Sequence, residues 1–187
     1  MQLLDLAEGR VYGPAMGRRG ETPLMKGEPE VLEALNGALK IELTAVNQFV
    51  LHARMMEHWG FLRRGQKEMK EAIEEMKHAD LLIKRILLLE GEPRLDSIGK
   101  LVIGRDLRSA IEGDLTLERE AMAFYREVIG ICERASDFVS RDLMVGLLAD
   151  EEEHEHHLQT ELELIDQIGI ERYAQSMLGD WPEEGEG

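Results

Sequence analysis

The sequence predicts an all-α fold: an antiparallel four-helix bundle with a long crossover between helices 2 and 3 and a short C-terminal fifth helix. Three observations carry this reading. Aromatic residues make up only 5% of the 187 residues, and runs of β-branched residues are few, which disfavours sheets. Four long segments repeat apolar residues at steps of three and four, the period of an amphipathic helix. Glycine and proline gather near the chain ends and between those segments, where they act as breaks.

Residues 1–24 hold four of the 18 glycines and two of the five prolines, so they read as an N-terminal arm outside the domain. Met25 looks like a fresh start. The first helix is expected from about Glu28 to His58, halted by Trp59-Gly60. The second runs from about Leu62 to Glu90 and meets Gly91-Glu92-Pro93, a glycine-then-proline stop. Residues 92–105 carry Pro93, Gly99 and Gly104 and are expected to cross the bundle end to end without helix. Asp106 is a candidate N-cap for a third helix reaching about Arg134. Ser136-Asp137 caps a fourth that continues to about Ile168. A short fifth helix spans Ile170–Met177, and Asp180–Gly187 forms an acidic tail. The bundle domain is therefore 25–179. Short first and third connections imply antiparallel pairs, joined by the long middle crossover.

Twenty-two Lys and Arg face 38 Asp and Glu, a formal net charge of −16. Such a surface repels nucleic acid and anionic membranes and draws cations. No stretch reaches the roughly 18 uninterrupted apolar residues of a membrane span, and Asp5 and Glu8 make the N-terminus a poor secretory signal. Cys132 is the single cysteine, so no intrachain disulfide forms and nothing points to an oxidising compartment. The expected location is the cytoplasm.

The apolar stripes are interrupted in an informative way. The first helix reads Val31, Leu35, Ala38, Glu42, Ala45 or Val46, Phe49, Ala53, Met56. The second reads Ala72, Glu75, His78 or Ala79, Leu82, Ile86, Leu89. The third reads Leu107, Ile111, Leu115, Glu118, Met122, Tyr125, Ile129, Cys132. The fourth reads Val139, Leu143 or Met144, Leu147, Glu151, His154, Leu158, Leu162, Ile165. Each helix thus places one glutamate on its buried stripe, and two add a histidine three residues later, on the same side. Burying four unpaired carboxylates costs many kcal/mol, so cations are expected between them. Mixed Glu and His donors suit a pair of iron or manganese ions. One Glu-x-x-His pair alone is weak, and Glu153–His156 in this chain reads as a chance case. The rest of the acidic run 150–157 reads as a solvated face. A second apolar stripe on the second helix, Met69, Ile73, Met76, Ile83 and Leu87, calls for a partner outside the bundle. Taken alone, Met76 reads as an interface methionine, Trp59 as a packing residue and Cys132 as a small core hydrophobe.

Ile41-Glu-Leu-Thr-Ala-Val-Asn-Gln-Phe, Leu51-His-Ala-Arg-Met, Glu74-Glu-Met-Lys-His-Ala-Asp, Arg85-Ile-Leu-Leu-Leu-Glu-Gly, Val139-Ser-Arg-Asp and Asp150-Glu-Glu-Glu-His resemble bacterioferritin, from Met25 to about Tyr173. The resemblance implies a ferritin-like bundle and a hollow homo-oligomeric shell of 24 subunits built from two-fold dimers, storing ferric mineral. It places the ferroxidase ligands on Glu42, Glu75, His78, Glu118, Glu151 and His154, holding two iron ions per subunit. It places the axial ligand of a b-type haem, one per subunit pair, on Met76, with Trp59 near that haem. A ferredoxin-type reductant is a further implied partner. Departures exist: Phe49 stands where the family often has a tyrosine, and Lys70 and Glu74 stand where some members carry a histidine and an aspartate on the inner surface. Competing readings are a di-iron peroxidase of rubrerythrin type, against which a single cysteine argues, and a silent shell subunit that co-assembles with an active partner. A DNA-coating mini-ferritin conflicts with the acidic charge.

Overall fold

A computed structural model describes residues 26–179; the N-terminal arm of 1–24 and the acidic tail of 180–187 lie outside the described residues. Five helices follow in order: α1 (Pro29–His58), α2 (Leu62–Leu88), α3 (Leu107–Arg134), α4 (Phe138–Ile168) and α5 (Ile170–Met177). Each boundary has a local cause. Pro29 opens α1 at a position whose N–H has no helical acceptor. Asp106 and Ser109 form a reciprocal capping box at the start of α3, and the Asp137 side chain accepts from Ser140 N at the start of α4. Gly169, at φ +84°, breaks α4 from α5 in a backbone region that side chains rarely adopt.

The helices form antiparallel pairs α1/α2 and α3/α4, with α1 also packed on α3. Buried Leu35, Leu39, Leu82, Ile86, Tyr125, Val128 and Met144 fill one end. Met56, Ile111, Leu158, Ile165 and Tyr173 fill the other, where α5 closes the bundle. The Gly27 N–H donates to Leu89 O at 2.9 Å, joining the start of α1 to the end of α2. Arg85 donates to Ser140 Oγ (2.7 Å) and Asp137 Oδ1 (2.6 Å), fastening α2 to the first turn of α4.

The crossover after α2 has no helix of its own, so its backbone donors need partners elsewhere. One face of α1 supplies them. Asn36 donates to Glu92 O and accepts from Arg94 N; Thr44 Oγ1 accepts from Gly99 N; Gln48 Oε1 accepts from Val102 N; His52 Nε2 accepts from Gly104 N at 3.0 Å. The four side chains recur at multiples of four residues, one helix face. A Cβ on Gly113 would sit 2.5 Å from Val102 O, and one on Gly104 would sit 2.2 Å from Ala110 N, so the strap lies too close to α3 for any side chain there.

The expected inward stripes are buried, with two corrections: on α3 Val128 takes the fully buried place expected of Ile129, which is only partly buried. Val139 is 61% exposed. The inward place in the first turn of α4 belongs to Ser140, which is buried and bonded to Arg85.

Candidate metal centre

Glu42 of α1, Glu75 and His78 of α2, Glu118 of α3, and Glu151 and His154 of α4 meet mid-bundle, all buried. They form two overlapping sets. Donor atoms of Glu42, Glu75, His78 and Glu151 lie within 4.8 Å of one another, as do those of Glu75, Glu118, Glu151 and His154. Glu75 and Glu151 belong to both sets. The two imidazoles stack at 6.5 Å between centroids. His78 Nδ1 lies 3.1 Å from Glu75 Oε2, and His154 Nδ1 lies 3.1 Å from Glu151 Oε2, so each ring turns Nδ1 to the centre.

The outer ring nitrogens face carboxylates. His78 Nε2 is 3.3 Å from Asp150 Oδ2, and His154 Nε2 is 3.0 Å from Glu71 Oε2 and 3.3 Å from Glu74 Oε2. Carboxylates on the far nitrogen of a ligating histidine fix its tautomer and aim. Asp150 therefore belongs to the site's surroundings rather than to a purely solvated face. The Tyr125 hydroxyl donates to Glu42 Oε1 at 2.5 Å. Phe49, buried nearby, brings no hydroxyl. A mouth of about 420 Å³, lined by Glu74, Lys77, His78, Leu81, Asp150, Glu153 and His154, opens at the histidine side.

Electrostatics show what the donors lack. Burial, reinforced by Glu75 and Glu151, pushes Glu42 well above the usual carboxylate range, and burial with the same neighbours does so for Glu118. Burial also works upward on Glu75, but the close approach of the His154 and His78 imidazoles holds it at about 2. Burial opposes the charged form of His78, yet contacts with Glu151, Glu42 and Glu75 push it up to about 12. His154 is driven up in the same way. Both imidazoles are being used as counter-charges for a cluster with more carboxylates than cations. Glu75 Oε1 is fully buried without a hydrogen bond; His154 Nδ1 lies 3.2 Å away but is not aligned to donate. A pair of divalent cations fits this donor set: it would supply charge, and it would occupy the unpaired oxygen.

A ferritin-like domain model matches residues 32–168. A bacterioferritin of Brucella melitensis is 50% identical over 151 residues, 81% of this chain and 94% of the relative. Bacterioferritins of Rhodobacter capsulatus and Mycobacterium leprae are each 43% identical over 150 residues, 80% of this chain, covering 93% and 94% of those proteins. The chain belongs to the bacterioferritin family. As a bacterioferritin it is an iron-storage protein. None of its described helices is long and apolar enough to cross a membrane.

The remaining sequence-predicted residues fall as follows. Met76 is 53% exposed on the outer face of α2, with Ile73 and Leu87 exposed beside it. Trp59 is half-buried at the bundle end against the cluster of α5. Met76 lies 14 residues into α2, roughly 21 Å along its axis. Closeness of Trp59 to a group at Met76 would therefore come through a partner's copy. Lys70 and Glu74 are exposed, and only Glu74 approaches His154. Cys132 is buried in the core, where burial raises its thiol to about 11.

Sequence reasoning missed a second buried polar layer beside the metal centre. Arg64 on α2 is 1% exposed; it donates to Glu68 Oε2, and its Nε donates to Glu161 Oε2 at 2.9 Å. Lys67 reaches Glu161 Oε1 at 2.5 Å. Asp114 Oδ1 accepts from Gln48 Nε2 (2.9 Å) and faces His52 Nδ1 (2.7 Å). His52 Nε2 is already the acceptor for Gly104 N, so Nδ1 carries the proton, and the contact is a neutral hydrogen bond. Arg64, Glu68 and Asp114 sit at helical spacing inside apolar neighbours, which was the available signal. Arg64→Met leaves the carboxylates of Glu68 and Glu161 without their buried partner. It should destabilise the folded chain by about 3–5 kcal/mol, read in a urea melt at neutral pH; an unchanged midpoint would contradict the buried pairing.

Proposed function

We propose that this chain detoxifies and stores iron by oxidising Fe(II) at the six-ligand centre, passing ferric product to the cavity of a 24-subunit shell. The observation that carries the reading is the pair of donor sets sharing Glu75 and Glu151. Two Fe(II) ions are the substrate. Glu75 and Glu151 bridge them, Glu42 and Glu118 each hold one ion terminally, and His78 and His154 each contribute one nitrogen. Each Fe(II) gives one electron to dioxygen or peroxide. Asp150 and Glu71 hold the two imidazoles in the ligating tautomer. Tyr125 positions Glu42 through its hydroxyl. The acidic surface draws cations towards the mouth at the histidine side.

Met76 would hold haem. A thioether at the middle of an exposed apolar stripe is a suitable soft ligand, and the Met76 side chains of a subunit pair would hold the group between them. Haem there supplies one-electron transfer, which would serve iron release with a ferredoxin-type reductant. The reading goes with a reducing, cytoplasmic setting.

The test is oxidation of Fe(II) in air by metal-stripped protein. A fast phase should saturate at about two Fe(II) per subunit, the capacity of a di-metal carboxylate centre. Slow oxidation that never saturates would remove the ferroxidase reading and favour a silent shell subunit.

A further inference from the structure

The far end of the crossover strap hangs on two side chains of α1, and both lead to one carboxylate. Gln48 Oε1 accepts from Val102 N at 2.8 Å, and Gln48 Nε2 donates to Asp114 Oδ1 at 2.9 Å. His52 makes the same bridge with a ring: Nε2 accepts from Gly104 N at 3.0 Å, and Nδ1 donates to Asp114 Oδ1 at 2.7 Å. The glutamine does not titrate near neutrality, but the histidine can. An added proton would take its accepting nitrogen, and a protonated ring is a donor on both sides. The Gly104 N–H would then face another donor, and a buried donor without an acceptor costs far more than a formed bond returns.

Gly104 has no sideways escape. A Cβ there would sit 2.2 Å from Ala110 N, so its backbone is pressed against the first turn of α3. Ahead of it, the N–H groups of Arg105 and Asp106 are fixed on Ser109 Oγ. Behind it, Gly99 N is fixed on the Thr44 hydroxyl, which does not titrate. Residues 100–104 between these anchors can therefore move only outward from α1. Val102 and Ile103 within them are already exposed, so little apolar burial opposes the movement.

We propose that His52 is an acid-sensitive clasp: its protonation frees the strap at Gly104 and opens residues 100–104 while the helices stay folded. The clasp acts through the strap's hydrogen bonds and does not depend on a metal at the centre. The charged and titratable groups facing His52 are Asp114 from α3 and Glu68 and Arg64 from α2, with Glu161 of α4 and Tyr173 of α5 behind Arg64; Arg105 and Asp106 follow Gly104 on the strap. Burial holds the ring below its usual range, with Glu68 working upward and Arg64 downward. Asp114 is no rival switch, because a proton on its unpaired Oδ2 leaves Oδ1 able to accept from both Gln48 and His52. A ring that binds its proton more weakly when the strap is closed makes closure lose ground as pH falls. Above about 6.5, the ring's ordinary value, both states are neutral and closure ignores pH. Below it, until the closed ring also titrates, opening takes up one proton and becomes about tenfold easier per pH unit.

Hydrogen exchange of the Gly104 amide in the full chain, followed from about pH 7.5 to about pH 5 and normalised to an unstructured peptide of residues 100–104, reads this directly. Protection should be level above about pH 6.5 and fall about tenfold per unit below it, while amides within α1 and α3 keep theirs. In His52→Gln, whose amide can accept from Gly104 and donate to Asp114 without titrating, protection should stay level throughout. A level profile in the unaltered chain overturns the clasp, and that measurement needs no variant to fold. An equal fall in His52→Gln overturns it too, since the proton would belong to another group. So does a fall shared by every helix, which would be acid unfolding of the whole chain.

Discussion

Glu75→Ala and Glu151→Ala should each abolish the fast phase of Fe(II) oxidation. These are the two residues common to both donor sets, so neither change costs one ion alone: it takes a donor from both and removes what holds them at a fixed separation. Loss of residues that merely orient metal ligands commonly costs 10–100-fold, so a bridging ligand should cost at least about a hundredfold. Glu42→Ala and Glu118→Ala touch one set each and should weaken one ion more than the other. Glu152→Ala is the control. It is exposed on the same acidic run, pairs with Arg126 and belongs to neither donor set nor the mouth, so its fast phase should match the unaltered chain. A Glu75→Ala protein that keeps a saturable fast phase would refute the bridging assignment.

Met76→Leu should remove haem completely while leaving the fast phase of iron oxidation unchanged. Met76 sits between Glu75 and Lys77 in sequence, but it points away from the buried Glu75 and His78 and is half exposed. Leucine preserves the apolar stripe and removes only the sulfur, so association through that face should survive. The measurement is the Soret band of the purified protein beside its iron-oxidation kinetics. Haem retained at full occupancy would sink the ligand assignment. Haem lost together with oxidation would mean that the two sides of α2 are coupled through packing.

Much of the fold could be read from periodicity because the local signals agree with the tertiary ones. Asp106 and Asp137 are real caps, Gly91 ends the second helix region, and the crossover begins and ends where glycine and proline placed it. The six candidate ligands stood out because a glutamate on a buried stripe contradicts its surroundings. Val139 failed because the first turn of a helix obeys its caps and neighbours before its stripe: Arg85 comes in from α2 and takes Ser140 as its partner. Arg64, Glu68 and Asp114 were passed over for a different reason. Their spacing continues the buried stripes of α2 and α3, but they repeat no ligand pattern, and the partners that satisfy them lie on other helices. The outward carboxylates Glu71 and Asp150 share this property, since their role depends on an imidazole from another helix.

The strap between α2 and α3 carries a consequence for chain length. Thr44, Gln48 and His52 advance eight residues along α1, about 12 Å at helical rise, while their partners Gly99, Val102 and Gly104 advance five residues of extended chain. Those five residues could stretch to about 16 Å, leaving little spare. An added residue between Gly99 and Gly104 would slide every later donor past its acceptor and strip His52 of the hydrogen bond that sets its tautomer. The same insertion near Leu95 or Asp96, between anchored points farther apart, could bulge outward harmlessly. The crossover is thus gauged to α1 like a tape against a ruler, and insertions and deletions should be unequally tolerated within a few residues of one another.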